Sequence, residues 1–123
     1  TFMREMFELC EKLVDVDVSK FNTQNVENMN TMFSNCKRLK NIDVSHWNTE
    51  NVTDMTNMFM RCSSLTTLDL SNFNTKKVTN MNNMFYYATN LTKIYIGPDW
   101  SVANSSTGQM FVGCEADIIR LEK

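Results

Sequence analysis

The chain has 123 residues, of which 42% are hydrophobic and 21% are charged, and its formal net charge is −2. This length and composition predict one folded domain with its own core and exclude a disordered tail. The balanced charge offers no broad field for a nucleic-acid backbone or an anionic membrane, so we expect neither nucleic-acid binding nor membrane insertion. No apolar run of about 18 residues and no signal-peptide pattern occurs, and a single histidine argues against most histidine-dependent catalysis.

A 26-residue period runs through the sequence. Cys10, Cys36 and Cys62 are each one period apart, Cys114 follows two periods later, and Ala88 takes the skipped position. Repeats of this length are typical of stacked folds in which each unit covers the apolar flank of the next. Other apolar residues share the period: Met3, Met29, Met55 and Met81; Met6, Met32, Met58, Met84 and Met110; Phe7, Phe33, Phe59, Phe85 and Phe111; Leu13, Leu39, Leu65 and Leu91. We expect these rows, methionines included, to form the core.

The first predicted element of each unit is a helix of about three turns. From Val26, the apolar residues Met29, Met32, Phe33 and Cys36 follow at offsets of 3, 6, 7 and 10. This spacing is that of one face of an amphipathic helix. Asparagine just before the pattern and threonine two residues earlier are N-cap residue types, so the helix is expected to start near them.

A short strand is predicted to follow the helix. Leu39, Ile42, Asp43 and Val44 combine an apolar–polar alternation with branched aliphatic residues, which is typical of a strand. Residues 45–49, with Trp47 as an apolar plug, then turn the chain back towards the next helix. Strands connected through helices run parallel, with a right-handed crossover.

These units predict an α/β fold, a right-handed solenoid of about four and a half strand–turn–helix coils. Neighbouring strands lie about 4.8 Å apart, whereas packed helices need about 8–10 Å. The helical side must therefore spread, and we expect an arch with the parallel sheet on its concave face.

One repeat domain is expected over residues 1–123, with units at about 1–18 (partial), 19–44, 45–70, 71–96 and 97–123. The last unit is atypical: Tyr95 replaces the repeat aspartate, Gly97 and Pro98 replace the repeat serine and the variable residue after it, and Ile118 and Leu121 keep the strand spacing one position late. Terminal repeats deviate in this way when they cap a stack. Because the first unit shows no such adaptation, the chain is interpreted as the C-terminal piece of a longer array.

The repeat resembles a known family. The consensus Met-x-x-Met-Phe-x-x-Cys-x-x-Leu-x-x-(Ile/Leu)-Asp-(Val/Leu)-Ser-x-(Phe/Trp)-Asn-Thr-x-x-Val is similar to the BspA-type leucine-rich repeat of bacterial surface proteins and lipoproteins. Residues 55–75 and 81–91 carry the best matches. The resemblance implies a leucine-rich-repeat fold, exposure at the bacterial cell surface or secretion, and adhesion or protein binding. It implies no catalytic residues.

Two side-chain rows leave alternatives open. The cysteines are interpreted as free buried thiols, because helices about 8–10 Å apart exceed the reach of a disulfide; disulfides or a metal are the alternatives. Asp17, Asp43 and Asp69 would form a carboxylate row about 5 Å apart in a parallel sheet. Either hydrogen bonds from the serines two residues later compensate their repulsion, or a bound cation or basic partner does.

We expect a non-enzymatic module that binds a protein or a surface glycan through the concave strand face, without cofactor or metal. At the N-terminal edge we expect neighbouring repeats of the parent chain. Tyr95 is the best single anchor. The proposed contact residues are Asp15, Asp17, Asn41, Asp43, Thr67, Asp69, Lys93 and Tyr95. A structural spacer with no ligand is the alternative, and an enzyme is disfavoured because His46 has no nucleophile tied to it by any motif.

Overall fold

The computed structural model describes Arg4, Met6, Phe7 and residues 10–121. Three short strands form one parallel sheet in the order β1-β2-β3: β1 spans Thr67–Leu70, β2 spans Lys93–Ile96 and β3 spans Asp117–Arg120. At the equivalent place in the two preceding coils, strand formation is limited to a single parallel bridge between Asp15 and Asn41.

No helix occurs among the described residues, and hence none that is long and apolar enough to cross a membrane. The predicted α/β solenoid of strand–turn–helix coils is therefore wrong. Where a helix was expected, two tight turns follow one another: the N–H of Met32 donates to the carbonyl of Met29 (3.3 Å), and that of Cys36 to the carbonyl of Phe33 (3.2 Å). The third residues of these turns, Thr31 and Asn35, have φ of 62° and 63°. A right-handed helix excludes such values, whereas a type II turn requires them.

The apolar spacing misled the helix prediction because tandem turns bury the same positions. Met29 and Met32 are the first and last residues of one turn, and Phe33 and Cys36 bound the next; all four are fully buried. Offsets of three and four therefore fit both structures. The turn pair recurs in the later coils, where positive φ is found at Asn57, Arg61, Asn83, Tyr87, Gln109 and Gly113.

Hydrogen bonds between successive coils pass through these turns. Within the turn pairs that begin at Met29, Met55 and Met81, every second backbone N–H donates to a carbonyl of the next coil, with N···O distances of 2.7–3.1 Å. In the first of these turn pairs, the donor and acceptor residues are Met29 and Asp54, Thr31 and Thr56, Phe33 and Met58, and Asn35 and Met60. A lone coil would leave these N–H groups unpaired, so the turns are stable only as a stack.

Buried threonines add a second link between coils. Thr23, Thr49 and Thr75 are at most 3% exposed. The Thr49 hydroxyl donates to the Asn74 carbonyl (3.1 Å) and accepts from the Asn74 N–H (2.8 Å), and the other two repeat this pattern. Residues expected to cap a helix thus join one coil to the next.

A row of phenylalanines shows how closely successive coils stack. Ring centroids along the row from Phe7 to Phe111 are 5.4–6.0 Å apart, with neighbouring rings within 12° of parallel. This spacing is close to the roughly 4.8 Å between strands. The predicted curvature assumed wider helix packing, and the described residues form no helix. The surface of the sheet is called the strand face below.

The methionine rows lie in the core as predicted: Met32, Met58 and Met84 are fully buried and Met110 is 4% exposed. Met6, in the first coil, is 47% exposed, and Met3 lies outside the described residues. The last coil differs in register, because Ile94 pairs with Ile118, two positions short of the regular interval. The expectation that Ile118 and Leu121 keep the strand spacing one position late is therefore wrong. That coil leaves Phe111 and Ile118 40% and 45% exposed beside an apolar cavity of about 450 Å³.

Candidate binding surface

Side chains of the strand face form two parallel rows across the coils. Thr67 lies beside Lys93, and Asp69 beside Tyr95, in the register of β1 and β2. Of the eight predicted contact residues, seven are exposed and Tyr95 is half-buried. Asp15 and Asn41 are neighbours through their bridge, whereas no backbone bridge joins Asp17 to Asp43. The structure therefore places all eight residues at the surface and pairs six of them directly.

β3 extends both rows by one residue. Asp117 lies beside Lys93, and Ile119 beside Tyr95. Sequence reasoning missed both, because it assumed the regular interval, whereas the last coil is two residues shorter before its strand. The sequence Asp117-Ile118-Ile119-Arg120 lacks the apolar–polar alternation of the earlier strands, and the strand buries none of its residues.

The aspartates of the strand face are held by their own turns. Asp43 accepts hydrogen bonds from the Ser45 hydroxyl (2.6 Å) and the Ser45 N–H (3.0 Å), and Asp69 accepts the same pair from Ser71. The hydroxyl and N–H of Ser45 hold the pKa of Asp43 below its usual value, with a smaller contribution from the charge of His46. Asp43 and Asp69 thus have hydrogen-bond donors within their own turns, as one of the two open explanations predicted.

The single histidine also has a local role. His46 is exposed, and its Nε2 lies 3.0 Å from the Val18 carbonyl of the preceding coil. Across residues 10–121 and the three described before them, no cluster of histidine, cysteine and carboxylate side chains could hold a metal ion. His46 thus contributes a hydrogen bond between two coils at the protein surface.

The thiols belong to the interior. Cys36 and Cys62 are fully buried in the row that contains Ala88, and their Sγ atoms lie 3.0 Å from the carbonyls of Phe7 and Phe33, to which they donate. Burial raises the pKa of Cys36 to about 11 and raises that of Cys62 as well. Because the thiolate is the nucleophile, these side chains are inert in the folded protein.

Comparison with known proteins identifies one family. A family model described as "Mycoplasma protein of unknown function, DUF285" matches residues 1–121, nearly the whole chain. No curated protein and no solved structure shows a significant match.

Proposed function

The chain belongs to the Mycoplasma DUF285 family, and from that premise we propose that it is a non-enzymatic binding module of a bacterial cell-surface or secreted protein. Its ligand, a protein or a surface glycan, contacts the strand face. The resemblance of the repeat to BspA-type units of surface proteins and lipoproteins supports this location and this role.

The observation that carries the proposal is the rigid presentation of two mixed rows of side chains. Backbone ladders hold Thr67, Asp69, Lys93 and Tyr95 in fixed register, so little conformational freedom is lost when a ligand covers them. Tyr95 is half-buried, lies beside Asp69 in the sheet, and follows the buried residue Ile94 in β2. A partly buried aromatic side chain among charged neighbours is typical of an interface hot spot.

The remaining chemistry favours binding over catalysis. His46 faces a backbone carbonyl, and the buried thiols of Cys36 and Cys62 have raised pKa values. Neither arrangement pairs a nucleophile with a base, which covalent catalysis requires.

A spacer without a ligand is the second candidate. It is favoured by one observation: the Asp43 and Asp69 carboxylates already accept hydrogen bonds within their own turns. Such aspartates are explained by folding alone.

The test compares a strand-face variant with a shortened stack. Beads coated with the protein are scored for adhesion to surfaces that display arrays of proteins and glycans. In the first variant, Asp43→Asn, Asp69→Asn and Tyr95→Thr remove two charges and one ring, while asparagine keeps the acceptor that closes each turn. In the second, residues 45–70 are deleted, which removes one full coil together with Thr67 and Asp69 and brings Asn41 and Asp43, one period earlier, into register with Lys93 and Tyr95.

A loss of about tenfold or more in adhesion by the first variant, with the shortened protein less affected, supports the binding module. A control with Glu50→Ala and Lys76→Ala, exposed residues outside the two rows, should adhere normally. Adhesion that survives the triple change but depends on stack length supports the spacer. Adhesion lost equally in the control contradicts a specific strand face.

A further inference from the structure

A basic and aromatic cluster lies in the turns of the third and fourth coils, away from the two rows of the strand face. The Arg61 guanidinium lies over the rings of both Tyr86 and Tyr87, at 5.5 Å and 5.3 Å from their centroids. The two tyrosine rings are 4.5 Å apart and tilted by 34°. Arg61 and Tyr87 are exposed, and Tyr86 is half-buried.

Both exposed members of this cluster stand at strained backbone positions. The equivalent turn residue is Asn35 in one coil and Gly113 in another, types that tolerate positive φ well. Arg61 and Tyr87, with φ of 59° and 53°, occupy the same position at a conformational cost. Each turn requires positive φ at this position in every coil, so the fold itself fixes where the Arg61 and Tyr87 side chains leave the backbone.

The neighbouring coil accommodates the tyrosine. A Cβ atom at Gly113 would fall 1.8 Å from Cδ1 of Tyr87, so only glycine lets this ring lie over the next turn. Tyr87 is thereby packed between the Gly113 backbone and the Arg61 guanidinium. These contacts restrict the Tyr87 ring before a ligand binds, which lowers the entropy lost on binding.

The stacked guanidinium keeps its in-plane donors available. Among the described residues, no hydrogen bond or salt bridge engages the Arg61 side chain. Beside it is a cavity of about 260 Å³, lined by Lys37, Arg61, Ser63, Tyr87 and Thr89. Its lining includes two cations and three hydroxyl-bearing side chains but no carboxylate; Lys37 is 3.8 Å from Glu11, a loose and exposed pair.

We propose that this cluster is a second interaction site, which binds a carboxylate side chain from an acidic segment of a partner polypeptide. Arginine presents parallel donors that match a carboxylate bidentately, and stacking on two tyrosines holds them in place. Arginine and tyrosine together are enriched at protein–protein hot spots, which favours a polypeptide over an acidic glycan. The site is independent of the proposed strand-face function.

Fluorescence anisotropy with labelled hexaglutamate tests the proposal at low and high salt. Arg61→Asn removes the guanidinium and places at this position the residue that the second coil uses, so its urea midpoint should not fall. Its affinity for hexaglutamate should drop about tenfold or more. Arg61→Lys keeps the charge without the planar fork and should lose nearly as much. Lys20→Asn, at an exposed residue, makes the same charge change as Arg61→Asn and should change affinity less than about twofold.

Three results would overturn the site. In the first, hexaglutamate binding is undetectable at low salt. In the second, Arg61→Asn and Lys20→Asn weaken hexaglutamate binding equally, which indicates unspecific charge attraction. Oligogalacturonate of matched charge could bind more tightly than hexaglutamate and depend on Arg61, which identifies an acidic glycan instead. Strand-face variants should leave hexaglutamate affinity unchanged, so failure here and failure of the proposed function are distinguishable.

Discussion

Substitutions at Asn83 test whether the turns replace a helix, because the two structures predict opposite orders of stability. Asn83 has φ of 59°, its N–H donates to the Gly108 carbonyl (3.0 Å), and its carbonyl accepts from the Tyr86 N–H (3.1 Å). Its side chain makes no hydrogen bond within the described part of the chain. Truncation therefore changes mainly the backbone preference of this one residue.

The expected order of stability is glycine equal to or above asparagine, with alanine lowest. Asn83→Ala should lose about 1 kcal/mol, because alanine tolerates the left-handed region poorly. Asn83→Gly should stay within about 0.5 kcal/mol, since its freedom at positive φ offsets its larger unfolded-state entropy. In a helix, alanine would instead gain about 0.5 kcal/mol over asparagine, and glycine would be the worst of the three.

Urea denaturation followed by tryptophan fluorescence measures these differences, since Trp47 and Trp100 are 2% and 8% exposed. The matched controls are Asn25→Ala and Asn25→Gly at an exposed asparagine without positive φ. Asn25→Ala should stay within about 0.5 kcal/mol of the parent. If Asn83→Ala proved more stable than Asn83→Gly, the turn assignment would be refuted.

Three further predictions concern the core, the thiols and the aspartate row. Met58→Ala should destabilise the protein by about 2–5 kcal/mol in urea melts, because the side chain is fully buried. The control Met58→Leu should cost less than about 1.5 kcal/mol. A loss below about 0.5 kcal/mol for alanine would contradict the burial of this methionine row in the core. At mildly alkaline pH, Cys36 and Cys62 should react with a thiol reagent only after unfolding, given a pKa of about 11 for Cys36 and a raised pKa for Cys62; rapid labelling of the native protein would be inconsistent with this. Ser45→Ala should raise the pKa of Asp43 towards 3.8, measured by carboxyl NMR titration. Because folding lowers the pKa of Asp43, its ionised carboxylate stabilises the folded protein above the unfolded value of 3.8, and this stabilisation is lost as pH falls through the lower folded value. The stability deficit of Ser45→Ala should therefore shrink on acidification. An unchanged Asp43 titration in the variant would disprove the hydrogen-bond explanation.

The candidate surface could be predicted in part. Residues at one strand position recur once in every period, so the rows that contain Thr67 and Lys93, or Asp69 and Tyr95, were accessible from the period alone. Asp117 was not, because the shortening of the last coil changes the register without altering the cysteine interval. The cluster around Arg61 also escaped prediction: its contacts join residues of neighbouring coils whose side chains follow no repeat rule.

The sequence by itself determined the repeat period and the burial of most residues of the methionine, phenylalanine and cysteine rows. Parallel pairing of successive coils was also predicted correctly, although it was inferred from helices that the described residues do not form. These features depend on which residues recur, and stacking identical units aligns them whatever local structure each unit adopts. Only the tertiary structure decided between a helix and tandem turns for segments such as residues 29–36, because both bury positions three and four apart. The turns place backbone N–H groups where a single coil cannot satisfy them, and the carbonyls of the next coil supply their partners.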